Sequence, residues 1–124
     1  MSRSNRRFQI QAKLSVIDGF PVVILDGECD AFAAPFTHGA VSGLIDAGYK
    51  GIIIDLTDLK YMDAAGFHAL DDCCTKIKEA GGNILLVNPG IYVEEIYDIL
   101  RVRESCAIVD TLDEALLRLR SELT

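Results

Sequence analysis

Gly51-Ile52-Ile53-Ile54-Asp55-Leu56, followed shortly by Met62-Asp63-Ala64-Ala65-Gly66-Phe67, is the stretch that decides the fold. Its first part is short, β-branched and bounded by turn formers, the mark of a strand buried on both faces. From Ala65 onward the spacing changes. Ala65, Leu70, Cys73, Cys74 and Ile77 recur at helical intervals until Gly81-Gly82 stops them, which predicts a helix from about 64 to 80. Asp63 is the natural N-cap of that helix, its carboxylate accepting from the first unpaired amides at the positive end of the helix dipole. A side chain at position 64 is presented at the same end. Exposed amides there suit a small polar or negatively charged group, yet position 64 is an alanine.

Upstream, Phe8 to Val16 alternates apolar and polar residues, as a strand with one wet face at a sheet edge does. Asp18-Gly19 turns the chain, and Pro21 to Gly27 forms a second strand that pairs with the first as a hairpin. Pro35 then sits in a first helical turn, with Phe36, Ala40, Val41, Leu44 and Ile45 on one face before Gly48. Downstream, Asn83 to Val87 is a buried strand closed by Asn88-Pro89-Gly90. A short helix from Ile91 to Leu100 turns Val93, Ile96, Tyr97 and Leu100 inward. Cys106 to Val109 is a last strand, and Thr111 with Glu114 is a capping box for a final helix through Leu119. An opening hairpin followed by alternating helices and strands predicts a single α/β domain: a mixed sheet of about five strands with about four helices packed on it.

The chain has 124 residues, half of them apolar, enough for one core without metal or crosslinks. Its net charge is -7, and four of the twelve basic residues, Arg3, Arg6, Arg7 and Lys13, lie before residue 14, whereas all nineteen acidic residues follow it. The reading divides the chain into a basic tail over residues 1–7 and a domain over residues 8–124. So acidic a body has no cation surplus with which to displace counterions from nucleic acid, and its charge reads either as steering toward a basic patch on a protein or as serving solubility alone. The apolar runs fall far short of the roughly 20 residues that span a bilayer, and no leader pattern precedes them, so a cytoplasmic location without membrane insertion is expected. Cys29, Cys73, Cys74 and Cys106 show no ligand spacing for zinc. They read mainly as small apolar fillers, with a redox pair such as Cys73 with Cys106 as the alternative.

Catalytic readings find little support. Asp55, Asp58 and Asp63 lack the acidic pair and late lysine of an aspartyl-phosphate receiver. His38 and His68 lie on separate helices with no nucleophile in a matching corner, and no glycine-rich loop follows the first strand. No enzyme activity, cofactor or metal is therefore expected.

The order of elements, together with Gly27-Glu28-Cys29-Asp30, Ile54-Asp55-Leu56-Thr57-Asp58-Leu59 leading to Asp63-Ala64-Ala65-Gly66, and Leu86-Val87-Asn88-Pro89, resembles the STAS family of anti-sigma factor antagonists over roughly residues 8 to 120. The resemblance implies partner switching: the unmodified protein binds an anti-sigma factor that is also a serine kinase and frees a sigma factor, until phosphorylation of a Ser or Thr at the corner releases it. Asp63 falls on the aspartate before that phosphoacceptor, Ala64 on the phosphoacceptor, Gly66 on the following glycine, and Asp30 on an aspartate beside the corner. This chain departs at the decisive atom, because neither Ala64 nor Ala65 carries an oxygen. A phosphoryl group would bring about -1.5 to -2 charge beside Asp63 and Asp30, and here that switch has no acceptor. Such a corner fits either a natural protein under another control or a serine-to-alanine replacement that locks the docking form.

The expected docking surface is Asp30, Asp63, Ala64, Ala65, Gly66 and Phe67, with Phe67 as either a core residue or an exposed aromatic anchor. Its partner would be an anti-sigma factor of the serine-kinase type, and the chain itself a monomer or weak homodimer. Two other roles follow from the same resemblance: a STAS subunit of a lipid-transporting ABC complex, and a scaffold component of a stress-sensing assembly.

Overall fold

A computed structural model describes residues 10–100 and 105–123. The basic tail expected over residues 1–7 lies outside them, as do the first two residues of the strand expected from Phe8. The described chain runs β1 (Ile10–Ile17), β2 (Phe20–Cys29), α1 (Ala34–Asp46), β3 (Gly51–Asp55), β4 (Leu59–Met62), α2 (Ala64–Glu79), β5 (Asn83–Val87), α3 (Ile91–Ile99), β6 (Ala107–Val109) and α4 (Leu112–Leu123).

Asp18 and Gly19 both hold positive φ, 55° and 83°, the two-residue type I′ turn whose twist matches the flanking strands. Ile17 therefore pairs with Phe20, and the antiparallel register runs back to Ile10 opposite Gly27. Every other pairing is parallel. The sheet orders as β1-β2-β3-β5-β6, with β4 joining β2 beside its last residues. The mixed α/β sheet matches the expected class, with six strands rather than about five. The additional strand, β4, is only four residues long and leaves a bulge against β2 between Gly27 and Glu28, and so short a strand has too few positions for alternation to register.

Ile52, Ile54, Ile84 and Leu86 point to one side of the sheet, where α1, α2 and α3 cover them with Val41, Ile45, Leu70, Ile77, Val93 and Tyr97. Val22, Ile53, Leu85 and Val87 point to the other, where α4 supplies Ala115, Leu116 and Leu119. Two buried faces explain why the central strands read as unbroken apolar runs.

Three expectations about side chains need correction. Phe36, which shares the apolar face of α1 with Val41 and Ile45 in the sequence pattern, and Ile96, expected inward on α3, are both exposed. The buried positions are Ala34, Thr37, Val41 and Ile45 on α1 and Val93 and Tyr97 on α3, so these helices turn Phe36 and Ile96 away from the sheet. The cysteine pair is Cys74 with Cys106, a disulfide, rather than Cys73 with Cys106. Adjacent helical residues diverge by about 100°, so Cys74 faces the segment entering β6, whereas the Cys73 thiol turns toward the His38 carbonyl on α1. Cys29 and Cys73 are buried free thiols, in keeping with the filler reading for those two.

Candidate functional site

The corner between β4 and α2 is built by short-range chemistry. Asp63 is extended, with φ -96° and ψ -175°, and its carboxylate accepts from the Gly66 amide at 3.2 Å, so it caps α2 as its sequence position implied. Its own amide donates to the Cys29 carbonyl at 3.2 Å, tying the start of α2 to the end of β2. Asp30, one residue further, accepts from the amides of Phe32 and Ala33, both at 3.0 Å, and so shapes the turn into α1. The two aspartates thus flank one end of the β2–β4 pair. Beneath them lies the Cys29 thiol, whose pKa is raised first by burial and further by the Asp63 and Asp30 carboxylates, against a lowering hydrogen-bond contact with the Thr37 hydroxyl.

Ala64 is exposed at the first turn of α2 and Ala65 is half-buried beside it. The Ala64 methyl group is therefore on an accessible face. Gly66 is buried, and a Cβ there would meet the Met62 side chain at 2.7 Å and the Cys29 carbonyl oxygen at 2.9 Å. Glycine is needed for the close approach of helix and strand, and Gly66 contributes shape rather than a contact surface. Phe67 is a second correction to the expected site. Its side chain is 0% exposed and packs edge to face on Tyr97, with ring centroids 6.2 Å apart. It belongs to the core that holds α2 against α3 and cannot touch a partner.

Of the two readings open for Phe67 the structure takes the core one, and the exposed aromatic near the corner is Phe32, 83% exposed in the turn after Asp30. Nothing in its periodicity marks it, because it lies outside any helix or strand; its position two residues after Asp30 was the available signal. Further apolar surface adjoins the corner through Met62. A groove of about 270 Å³ between β4 and α3 is lined by Lys60, Tyr61, Met62, Tyr92 and Ile96. Among the described residues, no group of three or more His, Cys, Asp or Glu side chains is disposed to hold a metal ion, and no helix is long and apolar enough to cross a membrane. The corner and its surroundings thus offer two carboxylates, a helix terminus, an exposed aromatic and a largely apolar groove.

Comparison with known proteins agrees with this architecture. BtrV of Bordetella bronchiseptica, named as an anti-sigma factor antagonist, is 23% identical over 83 residues, 67% of this chain and 72% of that protein. The crystal structure of an anti-sigma factor antagonist from Mycobacterium paratuberculosis superposes with a TM-score of 0.81 at 23% identity, covering 90% of this chain and 94% of that one. The Bacillus cell fate determinant SpoIIAA, in its phosphorylated form, superposes with a TM-score of 0.67 at 21% identity, covering 90% of this chain and 99% of that one. The sequence profile of the STAS domain matches residues 11–115, and the chain belongs to the STAS domain family.

Proposed function

We propose that this protein is an anti-sigma factor antagonist that docks an anti-sigma factor of the serine-kinase type through the β4–α2 corner, and that its docking is not controlled by phosphorylation at position 64. The observation that carries the reading is the exposed Ala64 methyl at the α2 N-terminus, on a corner bounded by Asp63 and Asp30. Support comes from the relatives named as antagonists and from SpoIIAA, for which a phosphorylated form exists. The direct contacts are Asp30, Phe32, Asp63, Ala64 and Ala65, with Gly66 and Phe67 holding the corner from behind. Acidic residues dominate the chain after residue 14, so a basic partner surface would be steered onto this face. The role is binding, within the cytoplasm, with the partner supplying any ATP.

Physically, an alanine keeps the corner in the state that a phosphoserine would end. A phosphoryl group there would add about -1.5 to -2 charge beside the two aspartates and repel a partner's own carboxylates or strain the corner. Without an acceptor oxygen, release must come from competition or another modification.

Two measurements test the proposal. Incubation with the cognate kinase and ATP should label the Ala64→Ser variant and leave the native chain unlabelled; labelling of the native chain would contradict it. Asp63→Lys removes a cap worth about 1 kcal/mol, so the domain should stay folded while partner affinity falls at least roughly tenfold from reversed charge at a docking centre. Affinity that survives this change would take Asp63 out of the site. Affinity capture from the native cell that yields an ABC ATPase and no kinase would replace the proposal with the transporter-subunit role.

A further inference from the structure

The edge of the sheet at β1 carries a second surface that the corner does not use. Among the described residues β1 pairs with β2 alone, so its outer side is an open edge eight residues long. Ile17 and Phe20 flank a two-residue turn and exchange their hydrogen bonds across it. Alternation then directs the backbone groups of Gln11, Lys13, Ser15 and Ile17 toward β2, and those of Ile10, Ala12, Leu14 and Val16 outward. The same even-numbered residues carry the apolar side chains that face the α1 layer. Leu14 and Val16 remain 59% and 56% exposed, and Phe36 of α1, beside Leu14, is 51% exposed. A cleft of about 220 Å³ lies between β1 and α1, where Ala12, Lys13 and Leu14 face Phe36, Ala40 and Leu44.

Native proteins protect such edges with charge, proline or a bulge. This one has no proline, no acidic residue between Ile10 and Ile17, and a single cation, Lys13. In a chain of net charge -7 it is a nearly neutral strip, where two acidic bodies approach with least repulsion.

We infer that β1 pairs antiparallel with β1 of a second copy across a two-fold axis at Leu14, joining two six-stranded sheets into one. Symmetry and charge fix the register. Side chains stay on matching faces only if the axis passes through a residue pair, and the two axes that keep the longest overlap of β1 with its copy run through Leu14 with Leu14 or Lys13 with Lys13. The second choice stacks two ammonium groups directly opposite each other, which is unfavourable. The first places Leu14 against Leu14 of the second copy, Ala12 against its Val16, and Lys13 against its Ser15. It also uses the outward backbone groups of Leu14, Ala12 and Val16, which form the hydrogen-bonded pairs of the new ladder. A two-fold axis closes the assembly, because the opposite edge is the three-residue β6.

The area argues for a reversible contact. An eight-residue edge is about 27 Å long and a sheet with its side chains about 10 Å deep, so the pair buries roughly 600–800 Å² in total once Phe36 and Leu14 are included, below the standard interface range. A dimer that dissociates on dilution is expected.

Sedimentation velocity between about 1 μM and 1 mM, a range that spans weak reversible pairing, tests the inference. The native chain should shift from monomer to dimer, and amide exchange at Leu14 and Ala12 should slow as concentration rises. Leu14→Glu, at an exposed position, should hold the chain monomeric throughout. Ser15→Glu should tighten the dimer roughly two- to thirtyfold, since it sets two glutamates opposite two lysines; in the rejected register residue 15 faces Gln11 and no gain results. A native chain monomeric at the highest concentration, a dimer indifferent to Leu14→Glu, or a Ser15→Glu variant that gains nothing would each overturn the inference. So would a monomer whose Leu14 amide is already protected, which would put another segment of the same chain on the edge, or protection seen only with a different protein present.

Discussion

Phe67→Ala separates the two roles that an aromatic beside the corner can have. Phe67 is fully buried and packs edge to face on Tyr97 at 6.2 Å, so truncation empties a cavity between α2 and α3. Buried Phe→Ala changes cost about 3–5 kcal/mol, of which the aromatic pair accounts for about 0.5–1.5 kcal/mol. Against a domain stability of about 5–15 kcal/mol this is severe. At roughly 3–5 °C per kcal/mol for a chain of this size, the melting midpoint should fall by about 10–25 °C. Phe67→Leu, which refills most of the volume, should lose only about 1–2 kcal/mol. The chain has no tryptophan, so urea unfolding is best followed by far-ultraviolet circular dichroism, with partner affinity measured in parallel on folded protein. Phe32→Ala is the counterpart: at 83% exposure its stability should stay within about 0.5 kcal/mol of the parent, while partner affinity falls about tenfold or more, as for an exposed anchor at an interface. If Phe67→Ala costs less than about 1 kcal/mol and abolishes binding, while Phe32→Ala changes neither, the assignment of core and surface at this corner is wrong.

Gly66→Ala should destabilise by about 1–3 kcal/mol through overpacking, since the clash includes the Cys29 carbonyl oxygen and cannot be relieved by a rotamer change; a neutral effect in thermal melts would mean that the helix stands further from β2. Reduction of Cys74–Cys106, which closes a separation of 32 residues, should lower stability by roughly 3–4 kcal/mol on the loop-entropy estimate, and identical melts with and without dithiothreitol would exclude the crosslink. The Cys73 thiol is pushed up to about 11, first by burial and then by Asp72, against Lys76. It should resist alkylation at pH 8 in the native protein. A thiol whose pKa is higher folded than unfolded binds more protons in the native state, so its contribution is intact below the ordinary thiol pKa and is lost as pH rises from there toward about 11; Cys73→Ala should flatten the stability profile over that alkaline interval.

Periodicity carried most of the architecture. Ile52, Ile53 and Ile54 declared a doubly buried strand and Asp63 declared the helix after it, because each signal rests on neighbours a few residues away. The I′ hairpin was legible for the same reason: Asp18-Gly19 is among the few pairs that take two successive positive φ angles. The cap at Asp63 and the absence of a hydroxyl at position 64 needed only the sequence.

Tertiary structure decided which faces are covered. Phe36, Phe67 and Ile96 each lie on apolar helical stripes, yet only Phe67 is buried, since burial depends on where neighbouring elements end, and a stripe extends past its cover without any local mark. Phe32 became the exposed aromatic of the corner because the Asp30 turn directs it outward, and Cys74 rather than Cys73 met Cys106 because helical rotation points one sulfur at β6 and the other at α1. Local sequence thus determined the elements and their caps, through interactions that reach one or two turns. The surfaces left for partners were set by long-range packing, in which the length and placement of one element govern the exposure of another far away in sequence.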